Sequence, residues 1–194
     1  MTGATLSYLR PMAADRSGRL EQKPLPNPTD EALTAAIVAE LPRLRRHATY
    51  LLYNHANAED LVQDCLEAAL KRKASLQDPA RLRGWLFSIL NNLFLMRLRS
   101  NARTQALPLD DFTDSLAASA PPQDRDTARD LVRAMAKLSA EHRQILLLLN
   151  VEEYTYQEVA DTLGLPIGTV MSRLARARRR LRALLEAREL QVVD

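Results

Sequence analysis

Cysteine is nearly absent from these 194 residues: Cys65 stands alone, so no disulfide can close within the chain and no cysteine-rich metal site can be built. It falls in an apolar-periodic stretch and reads as a core thiol. The three histidines, His47, His55 and His142, are scattered without ligand spacing, so no metal is expected. With only five glycines there is no glycine-rich phosphate loop, and no nucleophile motif occurs either. These absences argue against an enzyme and against a bound cofactor. No apolar run approaches the ~20 residues that span a bilayer, and residues 1–28 lack the apolar core of a secretion signal. The expectation is a cytoplasmic protein with no direct membrane insertion.

What remains is rich in Ala, Leu, Arg and Glu, a mixture that favours helices. Apolar residues form 46% of the chain, enough for a packed core. No segment alternates as a strand would, so the fold class is all-α, with two small helical domains expected on either side of a flexible acidic linker. A net charge of +3 understates the bias toward arginine; a pI near 9.2 suggests an anionic partner met through local basic faces.

The chain divides into four stretches. Residues 1–28 read as an irregular tail, since Pro24, Pro26 and Pro28 follow one another closely. Residues 29–103 form a first helical block. Thr29 is placed as an N-cap with Asp30 and Glu31 in the first turn, and Leu33, Ile37, Val38, Leu41, Leu44 and His47 recur at helical spacing. Pro42 is expected to kink or break that helix. Asn57 is read as the cap of a second helix with Leu61, Val62, Cys65, Leu66, Ala69 and Leu70 inward, closed by Lys71, Arg72 and Lys73. After a loop at 74–79, a third turns Leu82, Trp85, Leu86, Ile89, Leu90, Leu93 and Met96 inward. Residues 104–126 lose periodicity among Pro108, Pro121, Pro122 and five aspartates and read as a flexible acidic linker. Residues 127–188 form a second helical block, one helix lined by Leu131, Val132, Met135 and Leu138, the next capped by Ser139.

Within that block Thr155-Tyr156-Gln157-Glu158 has the form of a capping box, a threonine cap answered by a glutamate three residues on. Val159, Ala160 and Leu163 make the short helix's inner face, and Gly164 supplies the positive φ that ends it. A second helix is expected from near Gly168 to about Leu185, with Val170, Leu174, Ala177 and Leu181 inward and Ser172, Arg173, Arg176 and Arg179 outward. Short helix, glycine turn, second helix is the helix-turn-helix arrangement, and outward arginines suit phosphates and guanine edges. An arginine-rich face alone would fit a solvated helix equally well; the box and the glycine turn favour DNA.

The run Tyr154 to Ala160, then Leu163 to Leu174, then Arg176-Ala177-Arg178 resembles region four of the extracytoplasmic-function (ECF) sigma factors, which carry RNA polymerase to promoters. Ala58 to Asp64 and Leu82 to Asn92 resemble region two of that family, in the same order, and the resemblance covers roughly residues 30 to 188. It implies that Asp60, Gln63, Asp64 and Glu67 dock on core polymerase. It implies that Arg81, Arg83, Asn92, Arg97 and Arg99 hold the single-stranded minus-ten element, Asn92 reading a flipped base and the arginines gripping phosphates. Gly168, Thr169, Ser172, Arg173, Arg176 and Arg179 would read the minus-thirty-five element. Trp85 is open to core packing or base stacking, and the linker aspartates to phosphate mimicry or a spacer's role. Aromatics are few here, and weak melting would demand close promoter agreement. The family also implies an anti-sigma protein as partner and a role in stress or envelope responses. Two other readings stand beside this one: a mimic that titrates an anti-sigma protein, and an ordinary helix-turn-helix regulator binding duplex DNA as a dimer, which leaves the Trp85 segment unexplained.

Overall fold

The computed structural model describes residues 28–100 and 121–192, and among them there are seven α-helices, three single 3₁₀ turns and no strand. The tail and most of the acidic linker, including Pro108, Asp110, Asp111 and Asp114, lie outside the described residues.

Helix α1 spans Pro28–Leu52 and passes unbroken through Pro42. The carbonyl that Pro42 leaves without a donor belongs to Val38, and both residues lie on the exposed side, where water serves the orphaned acceptor. The helix ends where Tyr53 takes a left-handed φ of 51°. Helix α2, His55–Lys71, is capped by Asn54, whose side chain accepts the backbone N–H of Asn57. Asn57, expected as the cap, is thus the residue being capped. Two 3₁₀ turns, Lys73–Ser75 and Pro79–Arg81, carry the chain into α3, Leu82–Ser100. The second turn is capped by Asp78, which accepts from the N–H of Ala80.

The described chain resumes with a 3₁₀ turn at Pro122–Asp124 and helix α4, Arg125–Ala136, so helix begins just before the expected end of the linker at 126. Ser139 caps α5, Ala140–Asn150, accepting the N–H of His142 as the sequence suggests. Helices α6, Tyr156–Leu163, and α7, Ile167–Val192, complete the fold.

Leu44, Leu51, Leu61, Cys65, Leu86, Phe87, Leu90 and Phe94 form the buried centre of the first block. Ile145, Leu148, Val159, Val170, Leu174 and Ala177 do the same for the second. All of them belong to one continuous apolar cluster, because α3 lies against α6 and α1 against α5. Val38, Leu70, Met96 and Leu131, expected inward, are exposed: each stands just off the arc that its helix buries. Trp85 is partly buried against the core, its indole N–H donating to Ser75 Oγ at 3.2 Å. Burial pushes the Cys65 thiol up to about 12, in keeping with a core role.

Candidate nucleic-acid interface

The geometry of α6, its turn and α7 follows from local chemistry. Thr155 Oγ1 accepts the N–H of Glu158 at 3.2 Å, and the Glu158 carboxylate accepts the N–H of Thr155 at 2.7 Å, so the box is closed from both sides. Those donated hydrogen bonds hold the Glu158 carboxyl below its usual range. At the far end Gly164 adopts φ 64°, and the N–H of Leu165 reaches back to the carbonyl of Ala160 at 2.9 Å. The carbonyl of Pro166 then accepts from Thr169 and Val170, starting α7 within three residues of the glycine.

Val170, Leu174 and Ala177 are buried, which turns the opposite face of α7 outward. Gly168, Ser172, Arg176 and Arg179 are exposed along it, with Thr169 and Arg173 at its margin. Arg176 lies back along its own helix, donating to the carbonyl of Ser172 at 3.2 Å, while Ser172 Oγ donates to the Thr169 carbonyl. A ready-made row of polar and cationic groups therefore stands over about three turns of helix, the dimension that enters a major groove.

On α2 the residues Asp60, Gln63, Asp64 and Glu67 recur at helical spacing and are all exposed, opposite buried Leu61, Val62 and Cys65. Their stripe is acidic, with Lys71 near Glu67 at 3.6 Å and Arg97 of α3 bound to Asp64.

The five residues expected at the minus-ten strand are not all gathered on one surface. Asn92 and Arg99 follow Trp85 at seven-residue steps and share its face of α3, both exposed, with Arg81 exposed just before the helix. Arg97 turns toward α2, where it donates to Asp64 and to the carbonyl of Asn57 at 3.3 Å. Arg83 turns toward the second block. One of its nitrogens donates to the carbonyl of Glu152 at 2.7 Å and to its carboxylate at 3.3 Å, and the guanidinium lies 5.0 Å from the centre of the Tyr154 ring.

Glu152 is the residue that sequence reasoning passed over. Its side chain is fully buried, and Arg46 of α1 reaches it at 3.4 Å from the other side. His47 Nδ1 lies 3.8 Å from it. A third arginine, Arg143 of α5, donates to the carbonyls of Leu51, Met135, Ala136 and Leu138 and stacks 4.8 Å from the Tyr53 ring. Burial lowers the Arg143 pKa and raises that of Tyr53 to about 12. The sequence offers no signal for Glu152 beyond an acid just past the end of α5, where acids are ordinary. Among the described residues, no cluster of three or more His, Cys, Asp or Glu could hold a metal ion, and no helix is long and apolar enough to cross a membrane.

Residues 128–181 match the family model described as sigma-70, region 4, and residues 37–91 match the sigma2 domain of PhyR. The chain is 36% identical over 162 residues to the ECF RNA polymerase sigma factor EcfG of Rhodopseudomonas palustris, covering 81% of this chain and 87% of that one. Among solved structures it is similar to the sigma factor RpoE in complex with the anti-sigma factor NepR from Bartonella quintana, with TM-score 0.63 and 31% identity over 80% of this chain and 98% of that one. It also shares its fold with the anti-anti-sigma factor PhyR, complexed with NepR from the same organism, at TM-score 0.53 and 19% identity over 77% of this chain and 49% of that one.

Proposed function

This chain belongs to the ECF family of RNA polymerase sigma factors, and on that premise we propose that it binds core polymerase and directs it to a particular set of promoters. The observation that carries this reading is the α6–α7 unit: a closed capping box, a left-handed glycine and an exposed face bearing Ser172, Arg173, Arg176 and Arg179. Laid in a major groove, that face reads the minus-thirty-five element, Gly168 and Thr169 letting the helix start approach the backbone.

The acidic stripe of α2, Asp60, Gln63, Asp64 and Glu67, docks on a basic surface of the polymerase. Asn92, Arg81 and Arg99 meet the minus-ten strand, Asn92 through an amide that both donates and accepts. Arg83 and Arg97 join them once released from Glu152 and Asp64. The chemistry of RNA synthesis stays with the polymerase. An anti-sigma protein controls the chain, as the RpoE complex suggests by analogy, and the two blocks act as separate domains, residues 29–103 and 127–188, when engaged on polymerase. A stress or envelope response is the setting this family favours.

Transcription by purified core polymerase on genomic fragments, with start sites mapped in the presence and absence of the chain, tests the reading. New start sites sharing two spaced elements are expected, and they vanish with Arg173→Ala plus Arg176→Ala. A chain that neither joins core enzyme nor redirects it, yet binds an anti-sigma protein tightly, would instead be a titrating mimic.

A further inference from the structure

The seam between the two blocks lies where α3 meets α6 and α1 meets α5, whereas α7 packs on α4, α5 and α6 and keeps its outer face in solvent. That outer face is not uniform. Thr169, Ser172, Arg173 and Arg176 fall to one side of its crest, which Gly168 and Arg179 mark, and form the polar row described above. Ile167, Met171 and Ala175, spaced four residues apart, line the other side. Ile167 and Met171 stay 41% and 48% exposed on a helix otherwise crowded with arginine. A lone exposed apolar side chain is ordinary; three in register along one edge of a groove-facing helix make a surface that water solvates poorly.

Farther along, the same edge changes character. Arg178 and Arg182, seven and eleven residues beyond Met171, continue its line and are exposed. An apolar stretch followed by cations about 10 Å farther up the axis fits a helix whose first turns lie among bases and whose later turns cross a phosphate backbone. Of the base edges in a major groove, thymine alone projects an apolar substituent, its 5-methyl group; the rest present donors and acceptors that a thioether cannot satisfy well. The unbranched, polarisable side chain of methionine adapts readily to such a methyl.

We propose that Met171, flanked by Ile167 and Ala175, reads thymine in the minus-thirty-five element through its 5-methyl group, and that Arg178 holds a neighbouring phosphate. The proposal rests on the reading above, that α7 lies in the major groove. It splits recognition between two edges of one helix: hydrogen bonds from Ser172, Arg173 and Arg176 on the first, apolar burial on the second. A promoter for this chain therefore carries at least one A·T pair in that element, with the methyl group on the Met171 side.

Uracil pairs as thymine does and lacks only the methyl group, so it isolates the contact. Holoenzyme assembled from the full chain and core polymerase is titrated with a promoter fragment from the start-site mapping, carrying thymine or uracil at each A·T pair of the minus-thirty-five element. With wild type, uracil is expected to weaken binding about fourfold for each contacted methyl that is lost. Met171→Ala lies at an exposed position where alanine favours helix, so the variant folds; it weakens binding to thymine DNA by a similar factor and binds both DNAs equally. Met171→Leu keeps the preference for thymine. Arg178→Ala weakens binding to both DNAs alike and lessens the salt dependence by about one phosphate contact; an unchanged salt slope would overturn that contact. Wild type that binds uracil and thymine DNA equally, an element without A·T pairs, or a Met171→Ala chain that keeps the preference would overturn the methyl contact. A Met171→Ala chain defective in joining core polymerase would assign the edge to a protein contact and overturn it too. Wild-type holoenzyme that ignores every promoter fragment is a separate outcome: it removes the functional reading, and this proposal with it.

Discussion

His47 shows how much a single side chain's surroundings set its chemistry. It is fully buried, its ring edge-on to Phe87 with centroids 5.0 Å apart, and neither of its nitrogens makes a hydrogen bond of normal geometry. Burial pushes its pKa from 6.5 down to about 4; the Asn91 amide opposes that shift and Arg46 adds to it. Because the folded value is depressed, the unfolded chain takes up a proton between about pH 6.5 and 4 that the folded chain refuses. Stability from this group is therefore complete above pH 6.5 and declines as pH falls through that window, by at most about 3 kcal/mol. Urea midpoints measured from pH 7.5 to 4.5 should fall, and His47→Leu should flatten part of that slope; a wild-type midpoint constant across the window would contradict the burial of a neutral imidazole. The sequence placed His47 on the inner face of α1 but could not disclose its neighbours. The adjacent pair Asn91 and Asn92 divides between core and surface, which periodicity alone did not foretell: Asn92 is exposed on the Trp85 face, while Asn91 is buried and donates to the Phe87 carbonyl. Glu152 marks the same limit of pattern more sharply, because a carboxylate does not advertise arginines 69 and 106 residues away.

Helix ends were the most legible elements, since caps are local and each residue type there has one mechanical task. Ser139, Thr155 with Glu158, and Gly164 all stand where their chemistry places them. Two ends depart from the expectation: α1 already begins at Pro28, so Thr29, read as its cap, lies inside the helix; and at α2 Asn54 and Asn57 are both acceptable caps, and only the left-handed turn at Tyr53 decides between them. Burial arcs were read slightly too wide, which is why Leu70 and Met96 went astray. The two glycines of the α6–α7 unit invite a test of opposite sign. An added Cβ meets nothing within 4 Å at either Gly164 or Gly168, so space is not the issue. Gly164 needs φ 64°, and Gly164→Ala should cost about 1 kcal/mol, with Gly164→Asn milder. Gly168 lies in the first turn of α7 with no positive φ, and Gly168→Ala should stabilise the fold by about 0.5 kcal/mol. Thermal denaturation of both variants measures this; a Gly164→Ala chain as stable as wild type would mean that the turn does not depend on the left-handed residue.

At the scale of the whole molecule, periodicity reports which residues leave water but not what they pack against. Leu, Val and Ile are interchangeable as signals of burial, so the acidic stretch was read as dividing two domains, although nothing in the pattern says whether their cores stay apart. The described residues share one: Phe87 of α3 lies beside Tyr154 of the second block, ring centroids 5.7 Å apart, and the apolar cluster runs without interruption from Ile37 to Ala177. Burial raises the Tyr154 pKa, so that phenol stays neutral at the seam across the physiological range. A shared core has a consequence for unfolding. The lone tryptophan, Trp85, sits in the first block beside the seam with α6 and reports packing there, whereas far-ultraviolet circular dichroism sums the helices of both. If the seam couples the blocks, fluorescence and dichroism follow one denaturation curve with a common midpoint, as a single cooperative unit requires. If the blocks melt separately, the dichroism trace acquires a second step and the fluorescence trace follows only one of the two. Glu152→Gln sharpens the comparison, because removing the buried charge weakens the coupling without touching either block's own apolar centre; the two curves should then move apart, the Trp85 signal changing first as the seam loosens.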